Sequence, residues 1–384
     1  MHVVVIGAGV VGASIAAGLA QRGAQVTVVE RDWPGAGTSA TSFAWINSNG
    51  KEPQSYFELN AAGLRAHHQL AGGASPWFVP NGHLEYATAP EHVDRLRGRM
   101  GRLVERGYPV QELTHQKAAA LEPDLVIPAD CDTIAFFPGE AHVFPSLYLA
   151  QALARAVDAG ATVRPRTEVT ALEPAGSGAR VTLDDGTVLH ADAVVSAAGR
   201  WSAQLGRLAG VHVPMAEFTD PGDVTVGYLM ETGPLPVRVE RLITSPRLNV
   251  RPDGGGRLLL QALDLDVTAD PAVVPAVASE LADAVLERLR GVLRNAEAAD
   301  VRRLVVGQRV MPADGYTVVG RAPDAEWLYV VATHSGVTLA PLLGERVAAE
   351  LFGQDEPLFA DFRLERFLAG TAVTPPVPRR PGEQ

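Results

Sequence analysis

The sequence predicts a mixed α/β fold, on three observations. A β-branched run, a glycine-rich turn, a helical stretch and a second β-branched run follow one another within the first 30 residues. β-rich segments with an Asp-Gly hairpin signal occupy the middle of the chain, and strand-like and helix-like segments alternate towards its end. The length of 384 residues, with 47% hydrophobic and 20% charged side chains, suits two or three domains with sizeable interiors and excludes wholesale disorder.

His2 to Ile6 is a short β-branched run suited to a strand buried on both faces. Gly7-Ala-Gly9-Val10-Val11-Gly12 follows, then a helix from Ala13 to Gln21, then Gln25 to Glu30. Gly7 permits the tight turn, Gly9 lets backbone approach a pyrophosphate, and Gly12 lets helix and strand pack closely. The helix start, with Val10 and Val11, offers N–H groups and the positive dipole end to phosphates. Glu30, eighteen residues past Gly12, is placed to accept from a ribose 2′-OH and would repel a 2′-phosphate, which disfavours NADP. Val3 to Ala20 has about the length of a membrane span. No basic residue precedes it and four glycines interrupt it, so it reads as strand, turn and helix of a cytoplasmic protein.

Rare residues exclude other chemistries. Lys plus Arg is 33 against Asp plus Glu at 44, a net charge of −11, which argues against nucleic-acid and anionic-membrane partners. Cys131 is the single cysteine, so no disulfide framework, redox pair or thiolate zinc cluster exists. The histidines show no metal-ligand spacing, and no metal is expected. Lys51 and Lys117 are the two lysines, which excludes Schiff-base chemistry in the rest of the chain.

After Glu30-Arg31, the stretch Gly35 to Asn49 is small and hydroxyl-rich, with Thr38, Ser39 and Ser42, then aromatic, with Phe43 and Trp45. Such residues allow close backbone approach and donate to phosphate or ribityl oxygens. Helices are expected over 54–71, 90–106, from Pro145 to about 157, and over 275–294 and 335–352. Strands are expected over 168–173, 181–189, 191–196, 248–252, 302–309, 315–320 and 326–331, and the proline-rich tail 371–384 reads as disordered.

Five motifs, in order, resemble the D-amino-acid-oxidase-like flavoproteins, the group of glycine oxidase, sarcosine oxidase and D-amino-acid oxidases. They are the fingerprint at 7–12, Gly-Thr-Ser at 37–39 with Val169 in Thr-Glu-Val-Thr, and Val-Val-Ser-Ala-Ala-Gly-Arg-Trp-Ser at 194–202. The last two are Gly-Gln-Arg309-Val-Met-Pro-Ala-Asp-Gly at 307–315 and Ala-Thr-His334-Ser-Gly336 to Gly344. The resemblance implies a Rossmann-like FAD domain of glutathione-reductase type, assembled from 1–80, 145–215 and 305–370. An antiparallel β-sheet substrate domain from 81–144 and 216–304 is interleaved with it.

It further implies that Val169 meets the adenine end, and that Ala198, Gly199 and Trp201 line the pyrophosphate and ribityl region. Thr38, Ser39, Ser42, Phe43 and Ala44 would approach the phosphates and flavin ring. Gly336, Val337 and Thr338 would set N–H groups beside the flavin N1–C2=O edge. Arg309 falls at the position of the family's carboxylate-binding arginine, and His334 near the substrate. The chain departs from the family at Asn249 and Arg251, where some relatives present a tyrosine, and at Gln261, often a small residue; a larger or more polar substrate follows if they face the site. The expected activity is oxidation of a C–N bond of an amine or amino acid, passing electrons to O2 or another acceptor. With no cysteine after 131 and no lysine after 117, FAD is expected to be held non-covalently. An aromatic-hydroxylase-type monooxygenase and a flavin-holding auxiliary protein remain the alternatives, and the oligomeric state is open.

Overall fold

The structure, a computed structural model, describes residues 1–73, 75–368 and 374–376, so most of the expected tail at 371–384 lies outside the described residues. A six-stranded sheet runs in the order Val318–Ala322, Ala325–Ala332, Ala193–Ser196, His2–Ile6, Gln25–Val29, Thr162–Arg164. Its pairs are parallel except the first, an antiparallel hairpin. The central strands are buried along nearly their whole length, as their continuous valine runs require.

An eight-stranded sheet runs Val301–Gln308, Val226–Thr232, Leu258–Gln261, Asn249–Pro252, Leu242–Thr244, His83–Ala87, Thr133–Phe137, Gln111–Glu112. It is antiparallel except where Leu242–Thr244 meets His83–Ala87. The Asp185-Gly186 signal closes one hairpin of a three-stranded sheet, Val169–Ala175, Gly178–Leu183 and Val188–Ala191. The chain is thus a mixed α/β fold with parallel and antiparallel sheets.

Two expected elements differ. The helix expected over 275–294 is confined to Glu280–Val292, because Ser279 caps it by accepting the Ala282 N–H at 3.4 Å. The strand expected over 315–320 begins at Val318, because Gly315 holds φ +80° in a turn and Asp314 accepts the Tyr316 N–H.

Helix Gly336–Leu351 is clamped between helices Val10–Gln21 and Gln54–Ala71. A Cβ on Gly18 would lie 2.0 Å from the Gly344 carbonyl oxygen, and one on Gly63 would lie 2.6 Å from that of Thr338. Only glycine permits these approaches, which set the helix's position to within a fraction of an ångström. His67 adds a polar tie: its Nε2–H donates to the Val337 carbonyl at 2.8 Å, among Trp77, Phe78 and Tyr148.

Burial pushes the His67 pKa down to about 4 and that of His142, beside Arg251, down to about 3. Both therefore stay neutral in the fold while their unfolded counterparts titrate at 6.5. The unfolded chain binds the extra protons, so this stability is full above pH 6.5 and is lost as pH falls towards 4 for His67 and towards 3 for His142. Urea unfolding at pH 7 and pH 5 should show a fall of roughly 2 kcal/mol from each histidine. His67→Gln should reduce that fall; an unchanged fall would contradict the buried neutral imidazole.

Candidate active site

A cleft of 360 Å³ lies at the carboxyl ends of the parallel strands, where Ile6, Val29 and Ala332 end their strands and Ala197 follows Ser196. The glycine turn forms its floor. Gly7 holds φ +102°, and a Cβ there would lie 2.4 Å from the Ala197 carbonyl oxygen. Gly12 does not line the cleft; its role is packing, since a Cβ would lie 1.9 Å from the Gly7 carbonyl oxygen. Gly9, Val10 and Val11 do line it, and helix Val10–Gln21 starts there with the Val10 N–H donating to the Ser39 hydroxyl at 3.2 Å.

Glu30 lines the same cleft and fastens its turn. Its carboxylate accepts the Ala8 N–H at 2.8 Å and the Asp32 N–H at 2.9 Å, leaving lone pairs for a ribose hydroxyl. Arg31, Thr38, Ser39, Ser42, Val169, Ala198, Gly199 and Trp201 complete much of the wall. The Trp201 ring carries the Arg31 guanidinium at 3.8 Å and that of Arg200 at 3.7 Å. Burial and the nearby Arg31 hold the Arg200 pKa below its ordinary value.

Gly336 and Val337 close the far wall, where the last helix opens with no side-chain cap from Ser335. Two helix starts therefore face one elongated cleft, a donor set suited to an anionic dinucleotide. The small wall residues leave its backbone accessible: a Cβ on Gly9 would find the Ser39 hydroxyl, at 3.0 Å, as its near neighbour. The residues present fit FAD.

A second cavity of 120 Å³ adjoins the first and shares Thr38, Ser42, Val310, His334 and Val337 with it. Phe43, Ala44 and Thr338, expected towards the flavin ring, line this smaller cavity. The reason is the 3₁₀ turn Thr38–Thr41, anchored by a Thr38 hydroxyl bond to the Gln308 carbonyl at 2.8 Å. It carries the following residues towards the eight-stranded sheet, and Ala44 takes φ +58° there. Arg309, Gln261 and His334 line the same cavity.

Asn249 lines neither cavity. It is buried across the strand pair from Gln261, donating to that side chain at 3.4 Å. Arg251 is likewise structural, 2% exposed, its Nε–H donating to the Phe43 carbonyl at 2.6 Å and an NH1 to Asp253 at 2.8 Å. That bond ties the eight-stranded sheet to the loop between the cavities.

Arg309 reaches the cavity with its fork engaged. One terminal nitrogen donates to the carbonyls of Val224 and Val226, and the other to Asp266 at 2.8 Å. Asp266 also accepts the Tyr228 N–H, and burial pushes its carboxyl pKa up against the opposing pull of Arg309. Sequence reasoning missed Asp266, Lys51 and Asn47; the last two line the small cavity. Lysine scarcity drew attention to Lys51, but no pattern around it signals burial.

Removing one partner of this pair strands the other. Asp266→Leu should lose on the order of 3 kcal/mol in urea unfolding, and the double variant with Arg309→Met should regain most of it. A double variant as unstable as the single would contradict the pairing.

Residues 2–350 match the family described as FAD dependent oxidoreductase. The chain is 29% identical to a glycine oxidase of Geobacillus kaustophilus, over 97% of this chain and 98% of that protein. It is 24% identical to a glycine oxidase of Bacillus licheniformis, over 91% of this chain and 92% of that protein. The crystal structure of glycine oxidase from Geobacillus kaustophilus superposes with a TM-score of 0.83 at 26% identity, covering 95% of this chain and 98% of that one. With both cavities in view, the chain belongs to the FAD dependent oxidoreductase family.

Proposed function

We propose that the protein oxidises the C–N bond of a small amino acid or amine to an imine, with FAD held non-covalently. When bound, FAD supplies N5 as acceptor of the hydride from the substrate carbon. The observation that carries this reading is the small cavity opening onto the cleft beside the start of the last helix. There the N–H groups of Gly336, Val337 and Thr338 would stabilise negative charge on the reduced ring without a side-chain cation.

In this reading the six-stranded sheet and its helices are the FAD domain, of glutathione-reductase type, built from 1–80, 145–215 and 305–370. The eight-stranded sheet is the substrate domain. Gln261 and His334 face the substrate, and Arg309 contributes its charge through a guanidinium whose position Asp266 holds. Cys131 supports non-covalent binding, being buried among Ala87 and Thr133 and lining neither cavity. Likeness to a glycine oxidase over nearly the whole chain supports a small substrate. No helix among the described residues is long and apolar enough to cross a membrane.

The purified protein should take up FAD and turn yellow. Under anaerobic conditions glycine, sarcosine, alanine of either hand, proline and simple amines should be screened for bleaching of the flavin absorbance. At least one should bleach it within seconds and release an imine-derived carbonyl product. Rapid bleaching by NADPH with none by any amine would overturn the proposal.

A further inference from the structure

Glu140 is fully buried in the turn between strands Thr133–Phe137 and Ala141–Val143, where its own N–H donates to the Phe137 carbonyl at 3.2 Å. Each of its carboxylate oxygens takes a donor. Oε2 accepts the Trp45 indole N–H at 2.8 Å, and Oε1 accepts the Tyr108 hydroxyl at 2.8 Å. Tyr108 in turn accepts the Ser48 N–H at 3.2 Å. The segment Trp45-Ile46-Asn47-Ser48 is therefore held at both ends by one carboxylate. Trp45 and Asn47 line the small cavity, whereas Glu140 and Tyr108 line neither cavity.

The indole is fixed from other directions too. The His83 ring meets it edge-on, with ring centres 4.4 Å apart, and Phe137 stacks on His83 at 5.1 Å. Phe43 and Leu229 pack in one buried cluster with Trp45 and share the cavity wall with it. The Trp45 carbonyl accepts the Thr338 hydroxyl at 3.4 Å, which sets this wall against the first turn of the last helix. Glu140 is an expensive way to fill a core. His83 Nδ1 lies 3.2 Å from Oε2 without the alignment of a hydrogen bond, and among the described residues no arginine or lysine pairs with the carboxylate. An apolar side chain of similar volume in such a place is often as stable or more so. What the carboxylate adds is two acceptors at a fixed spacing, one for each end of the wall segment.

We propose that Glu140 is the positioning residue of the substrate wall. By holding Trp45 and, through Tyr108, Ser48, it keeps the indole at one depth in the 120 Å³ cavity, and the indole limits the length of carbon chain that the cavity admits. Selection by size then belongs to the Trp45–Ser48 segment and its carboxylate, not to the groups that meet the ligand's polar end. This assignment rests on the C–N oxidation reading for the kind of molecule that enters the cavity, but its test does not need turnover.

Straight-chain carboxylates from acetate to pentanoate are titrated into the FAD-loaded protein and followed by the shift in flavin absorbance. The unsubstituted protein should bind acetate best and lose affinity with each added carbon. In Glu140→Leu, which releases the indole and the tyrosine, the ratio of acetate to pentanoate affinity should fall about tenfold. In Tyr108→Phe, which releases Ser48 alone, it should fall about threefold. Glu140→Gln keeps an oxygen for the indole N–H and should restore most of the ratio. A carboxylate that served only the stability of the fold would lower Tm and the FAD-loaded fraction and leave the ratio where it was. That ratio unchanged in Glu140→Leu, or in Tyr108→Phe if Glu140→Leu does not fold, would overturn the proposal. So would an unsubstituted protein with no preference along the series. A ratio that moves with Glu140 in a protein that oxidises no amine would leave the wall standing and sink the C–N reading instead.

Discussion

Everything at the site depends on where helix Gly336–Leu351 begins. Its start is fixed by backbone contact: Gly18 against Gly344 and Gly63 against Thr338 leave no room for a Cβ, and His67 holds the Val337 carbonyl from a third direction. A helix gripped this way cannot shift along its axis without overlapping main chain, so its uncapped N–H groups face one fixed point. That point is the junction of the two cavities. The glycines of the opening fingerprint serve the same end on the other wall, where Gly7 and Gly12 let strand, turn and helix meet without room for a Cβ.

The second constraint is the tie between the sheets. Arg251 donates to the Phe43 carbonyl, and the Thr38 hydroxyl donates to that of Gln308. Each bond joins the loop after the second strand to the eight-stranded sheet, so the wall shared by the two cavities belongs to both halves of the fold. Arg309 and Asp266 strengthen that wall. Their pair is mostly buried, and the arginine's charge is felt in the cavity while its geometry is spent on Asp266, Val224 and Val226.

The fingerprint was legible in the sequence because its glycines answer to local backbone demands, and spacing alone reports those. The start of the last helix was legible for the same reason, through the run from His334 to Gly344. Helix ends were less so where a cap competed with apolar periodicity, as Ser279 did at Glu280. Long-range polar partners were not legible at all. Asp266 lies 43 residues from Arg309 and Arg251 lies 208 from Phe43, and no local pattern encodes a bond across such distances. Strand alternation places a residue on a face without saying whether that face meets a cavity or a neighbouring side chain, and Asn249 meets Gln261.

In the proposed function the start of the last helix meets one edge of the flavin ring and the small cavity meets one of its faces. A crystal structure of the FAD-loaded protein with acetate tests it most directly. The pyrimidine edge of the ring should lie within hydrogen-bond distance of the Gly336–Thr338 backbone, with the ring forming one wall of the cavity that Gln261, Arg309 and His334 line. A ring lying away from that helix start, with the small cavity closed off from it, would contradict this placement.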